Sequence, residues 1–118
     1  MSALTELRAL MQMQEFEKAV QHLEKMLIVE PENPLLWNIR GDIIQLVDSL
    51  DGPPLSEAER SYLKALELSP YNLEAIESLA HYYDAVAANP VEAKKYAKEY
   101  LRISQKASVA MSEIVMSD

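Results

Sequence analysis

Two stretches of this chain repeat one another. FEKAVQHLEKMLIVEPEN, beginning at Phe16, aligns without gaps on LSEAERSYLKALELSPYN, beginning at Leu55. Ala19 then matches Ala58, Leu23 matches Tyr62, Met26 matches Ala65, Leu27 matches Leu66 and Pro31 matches Pro70. Within each copy the apolar residues recur at three-and-four spacing, the period of an amphipathic helix. One such helix cannot bury its apolar stripe alone, so a duplicated helix ending in proline constrains the chain to stacked helical units.

Proline placement extends that reading to the whole chain. Pro31, Pro34, Pro53, Pro54, Pro70 and Pro90 bound segments of helical periodicity, and the only glycines are Gly41 and Gly52. Proline is tolerated at a helix start and breaks a helix interior, so the pattern predicts an all-α fold with helices near 2–13, 15–29, 34–48, 55–68, 73–87 and from 90 onward. Asn33 before Pro34, Asn72, and Asn89 with Glu92 are expected N-caps, as is Ser56 paired with Glu59. Ser49 to Pro54 reads as the one real loop. The last segment has no Gly or Pro after Pro90. It reads as one helix of about 39 Å, or as two stacked helices broken near Ser104.

At 118 residues and 49% hydrophobic content the chain fits one domain. Nineteen acidic against eleven basic residues give a net charge of −8, which disfavours nucleic acid and anionic membranes as partners. No stretch approaches a membrane-spanning length, and Glu6, Arg8, Glu15 and Glu17 interrupt any signal-like apolar run, so a cytoplasmic location is expected. There is no cysteine, no glycine-rich phosphate loop and no nucleophile-elbow serine. Glu77, His81 and Asp84 share a helical face at metal-compatible spacing, but one histidine among acids on an acidic helix arises readily by chance. The expectation is no catalysis, no cofactor and no metal.

The spacing of small and bulky residues resembles the tetratricopeptide repeat family. In the middle unit Trp37, Gly41 and Ile44 stand at the large, small and large positions of a first helix, and Ala58, Tyr62, Ala65 and Pro70 at those of a second. The third unit offers Ile76, Leu79, Ala80 and Tyr83, then Ala93, Ala97 and Tyr100; the first offers Leu7 and Leu10, then Phe16, Ala19, Leu23, Met26 and Pro31. Arg40 departs from the pattern, standing where the family usually has leucine. The resemblance implies an α-α superhelix of about three helical hairpins, near 1–33, 34–72 and 73–104, with residues 105–118 as a C-terminal cap. Small residues such as Gly41 and Ala80 let helices approach while Tyr62 and Tyr83 fill the hollows.

In proteins of that kind the first helix of each unit lines a groove for a partner's peptide or helix. Carried over by position, this implies a groove of Leu35, Asn38, Asp42 and Gln45 from the middle unit and Glu74, Glu77, His81 and Asp84 from the third. The segment LEAIESLAHYYDAVAA holds no Lys or Arg, so the groove should be acidic and suit a basic or amphipathic protein segment. The family's clamp for chaperone-tail carboxylates is not expected. Its positions hold Leu4, Arg8, Ile39, Glu74 and Ser78, and Glu74 would repel that ligand. Lys94, Lys98, Arg102 and Lys106 form a basic ridge that, with Met111, is a candidate self-association surface giving a homodimer. Tyr82, Tyr83, Tyr96 and Tyr100, with Met11, Met13 and Met26, read as core, and Met111 and Met116 as exposed. The function expected is a non-catalytic protein-interaction scaffold. The alternatives are a small acidic secretion-type chaperone and a self-assembly domain.

Overall fold

The computed structural model describes residues 2–47, 53–104 and 109–117. Its helices are α1 (Ala3–Gln12), α2 (Phe16–Val29), α3 (Pro34–Leu46), α4 (Ser56–Leu68), α5 (Leu73–His81), α6 (Pro90–Ser104) and α7 (Val109–Met116), and α5 continues into a π-helical turn over Tyr82–Val86. No strand occurs among the described residues, and no helix there is long and apolar enough to cross a membrane.

Local chemistry sets most helix ends. Asn33 Oδ1 accepts from the Leu35 amide at 3.1 Å, Asn72 Oδ1 from Ala75 at 3.1 Å and Asn89 Oδ1 from Glu92 at 3.3 Å. Each satisfies an amide that the first helical turn leaves without a partner. Ser56 does not cap. The N-cap of α4 is Leu55, without a side-chain bond, and Glu59 instead accepts from the Tyr83 hydroxyl at 2.6 Å. α1 closes with Gln14 in the left-handed region at φ 60°, where the Glu15 amide donates to the Leu10 carbonyl at 2.9 Å. Glycine is the usual residue at that position. The expected loop from Ser49 to Pro54 lies mostly outside the described residues.

Successive helices pack as hairpins, α1 on α2, α3 on α4 and α5 on α6, and the odd-numbered helices also touch in the order α3, α5, α7. The molecule measures 42 × 29 × 22 Å. Its longest helix, α6, spans only about 22 Å, so the long axis follows the succession of helices. α3 joins two core clusters. Ile43 packs with Leu7, Leu23 and Leu36, and Ile44 with Tyr62, Leu79 and Ala80.

The small-against-large interlock sits where α3 crosses α4. A methyl added at Gly41 would lie 2.7 Å from Tyr62 Cζ and 2.8 Å from Cδ1, so only glycine admits the ring there. The tyrosines expected in the core are there. Tyr82 and Tyr83 are buried, Tyr83 stacks on Tyr96 at 5.7 Å, and Tyr96 and Tyr100 pack against the same cluster.

Three further expectations need correction. The reading of one unbroken last helix fails: α6 ends at Ser104 and α7 packs back against α5 and α6, the second of the two readings. Met111 is therefore not exposed. It is fully buried with Ile114 among Leu79, Ala80 and Ala97, because the return of α7 turns that face inward, whereas Met116 is exposed as expected. Met13 is not core either: it follows the end of α1 and stands 63% exposed.

Candidate functional site

Charge divides between the two kinds of helix. On and around the even-numbered helices, carboxylates meet cations. Glu15 pairs with Lys18 at 3.3 Å, Glu67 with Lys64 at 3.4 Å, Glu92 with Lys95 at 3.8 Å, Glu99 with Arg102, and Glu57 with both Arg60 and Arg40. Arg102 holds the Glu99 carboxyl below its usual range, and Arg40 does the same for Glu57.

Arg40 is the one Lys or Arg of α3, and it turns toward the even-numbered helices. Its Nε donates to Glu24 on α2 at 2.6 Å, Nη2 to Glu57 on α4 at 3.2 Å and Nη1 to the buried Ser61 hydroxyl at 2.7 Å. Its guanidinium lies 5.8 Å from the Trp37 ring centroid. Arg40 thus joins three helices through donors that an aliphatic side chain lacks. Sequence reasoning marked it as a departure and missed this role, although a lone arginine on the apolar side of a helix has to find acceptors.

Helices α3, α5 and α7 differ. Asp42 on α3, Glu74 and Glu77 on α5, Asp84 on the π turn and Glu113 on α7 form no ion pair with the described residues. α5, its π turn and α7 contain no Lys or Arg. Contacts of α5 with α3 and α7 make these elements neighbours.

Of the eight residues expected to form a groove, two groups come together. Asp42 accepts from the Tyr62 hydroxyl through Oδ1 at 2.6 Å, and Gln45 Nε2 donates to that hydroxyl at 2.6 Å. Burial pushes the Asp42 carboxyl above its usual range, the Tyr62 bond opposes this, and the charge of Glu74 adds to the rise. Asn38 stands one turn before Asp42 and is 5% exposed. The second group is at the far end, where His81, Asp84, Ala110, Glu113, Ile114 and Ser117 line a cleft of about 210 Å³ between the end of α5 and α7.

Leu35 is half-buried in the first turn of α3, and Glu77 is half-buried without a polar partner among the described residues. Among the described residues no three His, Asp or Glu side chains converge as metal ligands would. Asp84 lies beyond α5, in a turn where the Ala87 amide donates to the Tyr82 carbonyl five residues back at 2.9 Å. That wider turn rotates Asp84 away from the register an α-helix would give it relative to Glu77 and His81.

Tyr62 and Glu113 were not among the expected site residues. The phenol of a buried tyrosine needs a partner, which is the signal that could have tied Tyr62 to Asp42. Nothing in the sequence fixed the return of α7 that brings Glu113 beside Asp84. On the other side, Lys98 and Arg102 of the basic ridge are exposed, Lys94 is half-buried, and Lys106 lies outside the described residues. The burial of Met111 removes it from any self-association surface. Comparison with protein-family models and with curated proteins finds no match to this chain.

Proposed function

We propose that the chain is a non-catalytic, tetratricopeptide-like interaction module whose α3, α5 and α7 face takes a basic or amphipathic segment of a partner protein. The observation that carries this reading is the set of five carboxylates on α3, α5 with its π turn, and α7 that pair with no cation among the described residues, whereas α4 and α6 pair all of theirs but Glu59. Unpaired carboxylates on adjoining helices repel one another, and a ligand of opposite charge relieves the repulsion. An irregular segment with basic and apolar residues suits a surface built from helix faces, which offer side chains rather than an open backbone edge.

The test is fluorescence anisotropy with a fluorescein-labelled amphipathic twelve-residue peptide carrying three arginines. The wild-type protein binds it with an affinity that falls as salt rises, and Glu77→Lys combined with Asp84→Lys weakens binding by at least about tenfold. Affinity indifferent to both salt and the charge reversals contradicts the reading.

A further inference from the structure

The end of α2 departs from its repeat copy in a way that packing does not explain. Ile28 and Val29 stand side by side in its last turn, 81% and 80% exposed. In the second copy the same positions hold Glu67 and a half-buried Leu68, and Glu67 pairs with Lys64 at 3.4 Å. Lys25 occupies the position of Lys64, yet the residue three places on is Ile28, and Lys25 forms no ion pair with the described residues. Where the second copy carries a solvated ion pair, the first carries a lone cation beside bare apolar surface.

That surface borders a cleft. Arg40 is bonded to Glu24 on α2 and to Glu57 on α4, so these two helices flank α3 at that level. Because α3 runs antiparallel to both, one turn back along α3 corresponds to one turn forward along α2 and α4. One turn back stands Trp37, whose indole N–H donates to the Pro31 carbonyl just past the end of α2 at 2.7 Å. One turn forward on α2 stands Ile28. Beyond Glu57 on α4 come Arg60, Leu63 and Lys64, which with Trp37 line a cleft of about 480 Å³. Single exposed apolar residues need no explanation, whereas a contiguous set at the rim of a cleft marks an interaction surface.

The charges around it select the occupant. Arg60 and Lys64 on the cleft wall already hold Glu57 and Glu67, so the cleft does not call for an acidic ligand. Lys25 precedes Ile28 by three residues and Glu30 follows it by two, and Glu30 too forms no ion pair with the described residues. A ligand of one sign leaves one of these two unanswered. Two copies of the segment run antiparallel across a twofold axis set Lys25 of each against Glu30 of the other, and the projecting pair of each against the cleft of the other. Opposite charges then meet at the point where two chains of −8 approach.

We infer that the end of α2 and the Trp37 cleft form an interface with a second copy of this chain, Ile28 and Val29 of each entering between Trp37 and Leu63 of the other. The interface calls on none of the five carboxylates of the α3, α5 and α7 face, so it is independent of the peptide-binding reading.

Sedimentation velocity of the full chain over about a hundredfold range of concentration tests it. The wild-type protein shifts from monomer toward a species of twice its mass as concentration rises. Ile28→Glu supplies the acid that Lys25 lacks, reproduces the exposed pair of the second copy, and gives a monomer throughout with unchanged helical circular dichroism. Lys25→Glu weakens dimerisation by at least about tenfold, and adding Glu30→Lys restores it, as crosswise pairing requires. Lys98→Glu, on the basic ridge of α6, leaves the dimer intact. A wild-type monomer across the range overturns the inference. So does a dimer that survives Ile28→Glu, one that Lys98→Glu dissolves, or a charge swap that fails to restore association.

Discussion

Helices α4 and α6 on one side and α3, α5 and α7 on the other handle their carboxylates differently. On α4 and α6, acids sit three residues from a lysine or arginine and pair with it. On α3, α5 and α7 they do not. Exposed pairs of this kind contribute little stability, so pairing on the outer helices mainly neutralises a surface. The difference teaches that net charge is the wrong level of description. A formal −8 says nothing of where acids without a cation stand, whereas here five of them lie on the neighbouring α3, α5 with its π turn, and α7.

The contrast is open to test at its strongest point first. Arg40→Ala removes the cation that serves Glu24, Glu57 and Ser61, and should cost about 3 kcal/mol in urea denaturation. A cost near zero would mean that the even-helix network is decoration. Next, Gly41→Ala forces a methyl against the Tyr62 ring and should cost about 2 kcal/mol. Because Tyr62 holds Asp42, it should also weaken peptide binding, linking the packed interface to the acidic face.

Gln14→Gly relieves a left-handed residue outside α3, α5 and α7 and should add about 1 kcal/mol. Peptide affinity should not change. A change there would show that stability rather than charge governs binding.

The smallest effect is in pH dependence, and its sign differs between the two faces. The Glu57 carboxyl is lowered when folded, so its stabilisation is present above its unfolded value near 4.5 and is lost as pH falls through the folded value. Asp42 is raised when folded. The folded state therefore holds its proton more tightly, and stability falls as pH rises from 3.8 through the folded value. Glu57→Gln should lower the urea midpoint at pH 7 and Asp42→Asn should raise it. Both differences should shrink on acidification.

Much of the architecture was legible because local rules and packing agree. The proline-bounded segments, the Asn33, Asn72 and Asn89 caps and the pairing of Gly41 with Tyr62 all follow from residues close in sequence or matched by the repeat. The errors arose where tertiary contact decides. Ser56 has the residues of a capping box, yet Glu59 bonds to Tyr83, twenty-four residues away. α7 is apolar apart from Ser112 and Glu113, so periodicity alone does not mark Met111 as part of its buried face. The candidate site was legible as a list of positions that the family resemblance implies, Asp42, Gln45 and Glu74 among them. What spacing could not supply was the phenol that holds Asp42 or the buried, unpartnered amide of Asn38, since both depend on how two helices meet.

The central claim is that α3, α5 and α7 form the surface where a basic segment is held. Nuclear magnetic resonance titration of the labelled protein with the three-arginine peptide addresses it directly. The account predicts saturable shifts in α3, α5 and α7 that include the side-chain amides of Asn38 and Gln45. Shifts confined to α2, α4 and α6, or none that saturate, would contradict it.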